Sequence, residues 1–352
     1  MQNLIDRFSE TIRHAAEHSE PLRIRGSGSK DFYGGPLLGT LLDITPYCGI
    51  VEYEPKELVL TARAGTPLLD IEKALAANGQ MLPFEPPHFG TGATLGGCVA
   101  SGLSGPRRAY QGAVRDFVLG VRMLDGRGDD LAFGGQVMKN VAGYDVSRLM
   151  AGAMGTLGVL LEISLKVLPR PVKEITLRFE MNEMQAIETM NRWAGQPLPL
   201  SATCYRQNIL TVRLSGAASA VNAALVKLGG EVNENGAEFW SNLREHTSAF
   251  FQTDAPLWRL SLPATAQPLN LPGTQLIEWG GAIRWLQTDV SADAIRQAVS
   301  QVGGQAALFR GGDKSQDVFH PLSAPLMEIQ QRLKQSFDPS GIFNPGRMYQ
   351  AF

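Results

Sequence analysis

Leu22-Arg-Ile-Arg-Gly-Ser-Gly-Ser-Lys30 runs from a short strand straight into a glycine loop, and this junction governs the reading of the rest of the chain. Leu22 and Ile24 alternate with charged residues as a strand requires. Gly26 and Gly28 carry no Cβ, so the backbone N–H groups around them can approach phosphate oxygens. Ser27 and Ser29 flank them, Ser29 adding a hydroxyl donor, and Arg25 or Lys30 adds a charge. The third glycine of a Rossmann fingerprint is absent, because position 31 is Asp31. Taken by itself, such a loop is equally an ordinary tight turn.

Three further glycine elements change that balance. Thr91-Gly-Ala-Thr94-Leu95-Gly96-Gly97-Cys-Val-Ala100-Ser-Gly102, followed by Gly105, suits either a flat or charged ligand or a close-packed helix contact. Gly152-Ala-Met-Gly155-Thr156-Leu157-Gly158-Val159 leads into an apolar strand, and Asn344-Pro-Gly346 reads as a turn. Three of the four elements sit beside strands early in the chain. Their summed backbone donors suit a dinucleotide with a pyrophosphate. No Walker A, GxSxG or HExxH string occurs, so the signatures of NTP hydrolysis, serine-elbow acyl transfer and zincin proteolysis are missing.

Composition narrows the class. The 352 residues predict about two domains, and 44% hydrophobic content is that of a globular chain. Lys and Arg number 32 against 34 Asp and Glu, which leaves no basic excess for nucleic acid. Cys48, Cys98 and Cys204 lie far apart, which excludes a disulfide framework, a CxxC zinc site and a four-cysteine cluster. His14 and His18 fit HxxEH, but an exposed helix face is the better reading and no metal is expected. No apolar core follows the N-terminal residues and no run approaches the ~20 residues of a membrane span. The expected location is cytoplasmic, or peripheral on the cytoplasmic side of the membrane.

Apolar spacing predicts helices near residues 3–17, 66–78, 145–150, 182–193, 218–228, 237–251, 291–302 and 323–337. Strands are expected at 22–25, 41–45, 58–64, 117–124, 130–133, 157–168, 173–180, 257–262, 281–287 and 305–309, with two more across 203–214 around Gln207-Asn208. Pro169-Arg-Pro171 is the clearest boundary, and after it a β-α-β-β-α order suits an antiparallel α+β layer.

The ordered motif set resembles the FAD-binding domain of the vanillyl-alcohol oxidase and p-cresol methylhydroxylase superfamily. Arg25-Gly-Ser-Gly28 matches its pyrophosphate loop, and Thr94-Leu-Gly-Gly97 with Ala100, Gly102 and Gly105 its second flavin segment. Lys139-Asn140-Val-Ala-Gly143-Tyr144-Asp145 through Gly155-Thr-Leu-Gly158 matches a third, and Asp338-Pro-Ser-Gly341 with Asn344-Pro-Gly346 the closing segment. Pro86-Pro-His-Phe-Gly90 and Ser104-Gly-Pro-Arg-Arg108 narrow the resemblance to the smaller flavoprotein subunits of bacterial glycolate oxidases.

That resemblance implies an α+β protein with a two-subdomain PCMH-type FAD-binding domain over 1–171, a small cap over 172–318 and a returning segment over 319–352. It implies FAD held by Arg25 to Lys30, Thr94 to Gly97, Ala100, Gly102, Gly105, Asn140, Gly155, Gly158, Val159 and Asn344. It also implies glycolate oxidation to glyoxylate, in a complex with a larger flavoprotein subunit and an iron–sulfur subunit. Two features depart from the family. The late HGDGN-like segment and metal-holding histidines of catalytic relatives are missing, so no catalytic residue is assigned and an accessory, electron-relaying subunit is favoured over a stand-alone dehydrogenase or a cofactor-free module. The loop carries no histidine for covalent attachment, so the FAD is expected to be non-covalent. Arg347 is a candidate for a flavin oxygen or a substrate carboxylate; Arg259 and Arg284 are candidate forks for a carboxylate, although an Arg between apolar neighbours on a strand more often points to solvent. Trp240, Trp258, Trp279 and Trp285 are expected in the core, and the 104–112 loop is a candidate partner surface.

Overall fold

A computed structural model describes residues 1–135 and 145–352. Helix Gln2–His18 opens the chain and buries Ile5, Phe8, Ile12 and Ala15, one face at helical spacing. It packs on a five-stranded antiparallel sheet ordered Ile50–Glu54, Val59–Arg63, Val159–Lys166, Val118–Leu124 and Asp130–Gly134. The central strand Val159–Lys166 is buried along most of its length. A tight turn at Asp125–Gly128 joins the last two, its Asp125 carboxylate accepting the N–H groups of Arg127 and Asp129 (2.8 and 3.0 Å).

Beside this sheet, Leu22–Arg25 pairs in parallel with Thr40–Asp43. The C-terminal segment returns to the other side of Leu22. Leu22 N–H donates to the Ile342 carbonyl (2.7 Å), and Asn344 N–H to the Leu22 carbonyl (2.9 Å). Helix Ala324–Phe337 delivers that return. Its buried Lys334 ammonium donates to the carbonyls of Thr156 and Phe343 (2.8 Å each) and to Asp338 (2.7 Å), so three segments share one charge.

After Pro169 the chain enters an eight-stranded antiparallel sheet. Its first half runs Lys173–Glu180, helix Glu183–Ala194, Leu200–Arg206, Ile209–Gly216, helix Ala218–Leu228 and Glu231–Val232. These strands lie in the order fourth, first, third, second, the split βαβ arrangement. The second half, Leu257–Ser261, Thr274–Glu278, Ile283–Gln287, helix Ala292–Gln301 and Gln305–Arg310, repeats it in mirror order without the first helix. In the sheet ladder the halves pair through Cys204 opposite Glu278 and Tyr205 opposite Ile277. Trp240, Trp258, Trp279 and Trp285 are all buried. Among the described residues no helix is long and apolar enough to cross a membrane.

Four local features differ from the sequence reading. The helix expected over 237–251 ends at Arg244, because His246 adopts φ 55° and its ring lies flat on Phe251 (3.7 Å between centroids). Ile50–Glu54 is a mostly exposed edge strand, so burial imposes no alternation on it. Thr274–Glu278 completes the cap hairpin although no strand was expected there. The glycine run contains a helix, Leu95–Ser101, with Thr94 as N-cap and Gly102 in the left-handed conformation at its end.

Glu278 sits wholly inside the cap sheet and accepts from Trp285 Nε1 (2.7 Å). Burial pushes its carboxyl up to about 7. The folded state therefore holds a proton that the unfolded chain has lost, so this stabilisation is present below the ordinary carboxylate range and disappears as pH rises through about 7. Wild-type protein is expected to lose on the order of 3 kcal/mol relative to Glu278→Gln between pH 4.5 and 7. Urea titrations at each pH check this, and parallel curves for the two proteins would refute it.

Candidate functional site

Two adjoining cavities share Ile24, Gly26, Thr94, Gly97, Ala100, Met154 and Asn344, and so form one continuous groove. One end is walled by Ile44, Ala64, Gly96, Met150, Gly155, Leu157, Gly158 and Leu160. The other is walled by Arg25, Ser27 to Asp31, Leu37, Ser101 and Arg347. The first end is apolar and suits a flat ring system. The second is rich in backbone and cations.

The donors at that second end are unclaimed. The five consecutive N–H groups from Gly26 to Lys30 donate to no other described residue. Gly28 holds φ 80°, and the Arg25 side chain packs over the place where a Cβ would project. Arg25 Nε is tied to Asp31 (2.8 Å). Lys30 Nζ bonds the His88 carbonyl (3.2 Å), and burial holds its ammonium below the usual lysine range. Gly90 and Gly92 lie against Ser29 and Ser27, and the N–H groups of residues 90–92 are likewise unclaimed by described residues. A concave array of free N–H donors with a lysine at its rim is an anion cradle.

Asn344 ties the groove together. Its Oδ1 accepts from Ile24 N–H (2.8 Å) and its Nδ2 donates to the Met154 carbonyl (2.7 Å). Gly155 must lie close to that amide, because a Cβ there would meet Asn344 Nδ2 at 2.6 Å.

A family model for an FAD binding domain matches residues 5–134. The Escherichia coli glycolate oxidase subunit GlcE is 53% identical over 97% of this chain and 96% of its own length. The chain belongs to this family of FAD-binding glycolate oxidase subunits. The glycolate oxidase subunit GlcD of Bacillus subtilis is 25% identical over 98% of the chain and 87% of its own length. A D-lactate dehydrogenase of Anaerostipes hadrus is 32% identical over 40% of the chain. A solved alkyldihydroxyacetonephosphate synthase superposes with a TM-score of 0.66 over 96% of this chain and 73% of its own, at 15% identity, which shows the shared fold.

For a member of this FAD-binding family, the groove has the chemistry the cofactor needs. Free N–H groups and Lys30 suit a pyrophosphate, and the apolar end suits an aromatic ring. Of the residues the sequence nominated, the structure brings Arg25 to Lys30, Thr94, Gly96, Gly97, Ala100, Gly155, Gly158 and Asn344 to its walls.

Others it puts to different uses. Leu95 is fully buried, with its N–H on the Thr66 carbonyl (2.9 Å), and the Gly96 N–H is taken by Ala64 (2.7 Å), so the helix end offers few donors. Gly102 packs on Gly152, and Gly105 on the Glu85 carbonyl. Val159 begins the central strand as core. Asn140 lies outside the described residues, as do Lys139, Gly143 and Tyr144. Arg347 lines the groove, yet its guanidinium donates to the carbonyls of Lys30, Asp31 and Gly35, and burial lowers it to about 10. Arg284 is buried on the Ala266 and Gln267 carbonyls, so it is a structural clamp.

The 104–112 loop docks the cap. Arg107 is buried against Glu85 (2.9 Å), Glu174 (2.6 Å) and Ser215 (3.0 Å), Trp279 Nε1 donates to the Gly105 carbonyl (3.1 Å), and Tyr110 packs in the cap core. The groove's apolar wall was not read from sequence. Ile44, Ala64, Met150 and Leu160 carry no motif, and the signal available was only their closeness to glycine elements or strand ends.

Asn344→Ala deletes an acceptor and a donor that serve buried backbone groups. It is expected to destabilise the cofactor-free chain by about 2 kcal/mol. An unchanged urea midpoint would show that the tie contributes nothing.

Proposed function

We propose that this chain holds FAD non-covalently in the groove and serves as the smaller flavoprotein subunit of a glycolate-oxidising 2-hydroxy acid dehydrogenase. In this reading residues 1–171 and 319–352 form the flavin unit and residues 172–318 the cap. The partners are a larger flavoprotein subunit, for which relatives of the GlcD type are the model, and an iron–sulfur subunit. The observation that carries the reading is the uninterrupted run of free N–H donors from Gly26 to Lys30 in a groove closed by Asn344.

Bound FAD supplies hydride acceptance and onward electron release. The chain's own residues do the rest. Gly26 to Lys30 bind the pyrophosphate through N–H groups, and Lys30 offsets its charge. Ile44, Ala64, Leu157 and Leu160 exclude water from the ring at the enclosed end. Arg347 fixes the carbonyls of residues 30, 31 and 35, which orients the loop.

A second reading, in which the chain oxidises substrate itself, is favoured by Arg259. This cap guanidinium lies over the Trp279 ring (5.3 Å) and has no carboxylate partner among the described residues. It is a ready fork for a hydroxy acid carboxylate.

Acid precipitation of the purified chain is expected to release all flavin to the supernatant, and colour in the pellet would overturn non-covalent binding. Gly28→Val should abolish FAD binding, because a left-handed φ and the Arg25 contact leave a branched side chain no place. Gly195→Val, at a cap helix end with no neighbour closer than 3.7 Å, should keep it. Glycolate-dependent dye reduction should appear only with the two partner chains added. Turnover by the isolated chain at ~1–10³ s⁻¹ would promote the second reading.

A further inference from the structure

The Pro86-Pro-His-Phe-Gly90 segment lines neither part of the groove, yet it lies directly behind it. His88 is buried, and its ring bonds Glu72 (3.1 Å) while its carbonyl receives Lys30 Nζ. The segment is held in an unfavourable shape. Glu85 has φ 45° and Phe89 φ 53°, left-handed conformations that cost non-glycine residues about 1–2 kcal/mol each. Something must hold Phe89 in place.

That holder comes from the cap. The Glu245 carboxylate follows the end of helix Gly236–Arg244 and reaches across to the flavin unit. It accepts the N–H of His88 (3.0 Å) and of Phe89 (2.9 Å) on one oxygen, while the other accepts Arg244 Nε (2.7 Å). The next residue, His246, presses its ring edge-on to Phe89 (5.1 Å between centroids) and is itself held in a left-handed turn, φ 55°. Two strained loops thus face each other, joined by a carboxylate and a ring contact. Directly after Phe89 come Gly90 and Gly92, packed on Ser29 and Ser27.

We propose that Glu245 is a positioning residue for the cofactor: a cap carboxylate that latches residues 88–92 against the Gly26–Lys30 cradle and so slows FAD release. The inference rests on the reading of that cradle as the pyrophosphate site. Gly90 and Gly92 back onto Ser29 and Ser27 of the cradle, so a latch that keeps the second loop close braces the cradle from behind. The cap then contributes to cofactor retention without touching the cofactor.

The test is FAD dissociation from the full-length chain, followed by the recovery of free flavin fluorescence, with Kd from titration of the apoprotein. Glu245→Ala removes the only acceptor the described residues offer to the two N–H groups and is expected to speed dissociation and weaken Kd about tenfold or more. Glu245→Gln keeps one oxygen at the same reach and is expected to restore most of the affinity, within about threefold of wild type. A general packing defect would instead lower the melting point of the apoprotein and be no better in the Gln variant. If Glu245→Ala does not fold, the comparison of Glu245→Gln with Glu245→Asp decides, since the shorter acid cannot reach and should release FAD faster. Unchanged dissociation in these variants, while Gly28→Val loses FAD, would overturn the latch and leave the cradle intact. Retention of FAD by Gly28→Val would remove the cradle reading and the latch together.

Discussion

One side-chain amide joins segments that are remote along the chain. Asn344 bonds the strand that leads into the first glycine loop and the carbonyl that precedes Gly155, and it stands in the stretch paired with Leu22. That tie joins two walls of the groove, at Ile24 and at Met154. Lys334 and Asp338 keep the approaching chain in register, a buried ion pair whose ammonium also satisfies two carbonyls. A buried pair of this kind adds little net stability over an apolar substitute, but losing one partner is costly. Its contribution is to specify where the segment lies.

The glycines divide into two physical classes. Gly28 serves an open loop, where its left-handed φ frees backbone donors. Gly96, Gly102 and Gly105 serve contacts so close that a Cβ would strike Ala64, Gly152 or the Glu85 carbonyl. Both classes read alike as letters. The first leaves its N–H groups free among the described residues, and the second spends them within the protein. The same holds for the arginines. Arg107, Arg284 and Arg347 are absorbed by carboxylates or carbonyls of the chain, whereas Arg259 is not.

Amphipathic elements were legible because their burial leaves a period. Helix Gln2–His18 and strand Val159–Lys166 show it plainly. Ile50–Glu54 shows none, since an exposed edge is under no such demand, and Leu95–Ser101 is hidden by glycines that propensity counts against a helix. The break at His246 depends on a ring that finds Phe251, a contact the local sequence does not advertise. In the groove, the cradle loop could be recognised from its residues. That Leu95 and Gly96 already give their N–H groups to Thr66 and Ala64 requires knowing that those carbonyls arrive there. The apolar wall was illegible for the same reason, being assembled from single residues of several elements.

The bond between Ile24 and Asn344 spans 320 positions. During synthesis the first glycine loop leaves the ribosome long before its tie is made, and at ordinary elongation speeds of about 5–20 residues per second the wait is of order tens of seconds. Throughout it the inner face of Leu22, which ends fully buried, has no C-terminal neighbour. The cap, whose strands pair with one another at short separations, has by then every partner it needs within reach. The segment made first is thus completed last, when the C-terminal return reaches Leu22 and Ile24.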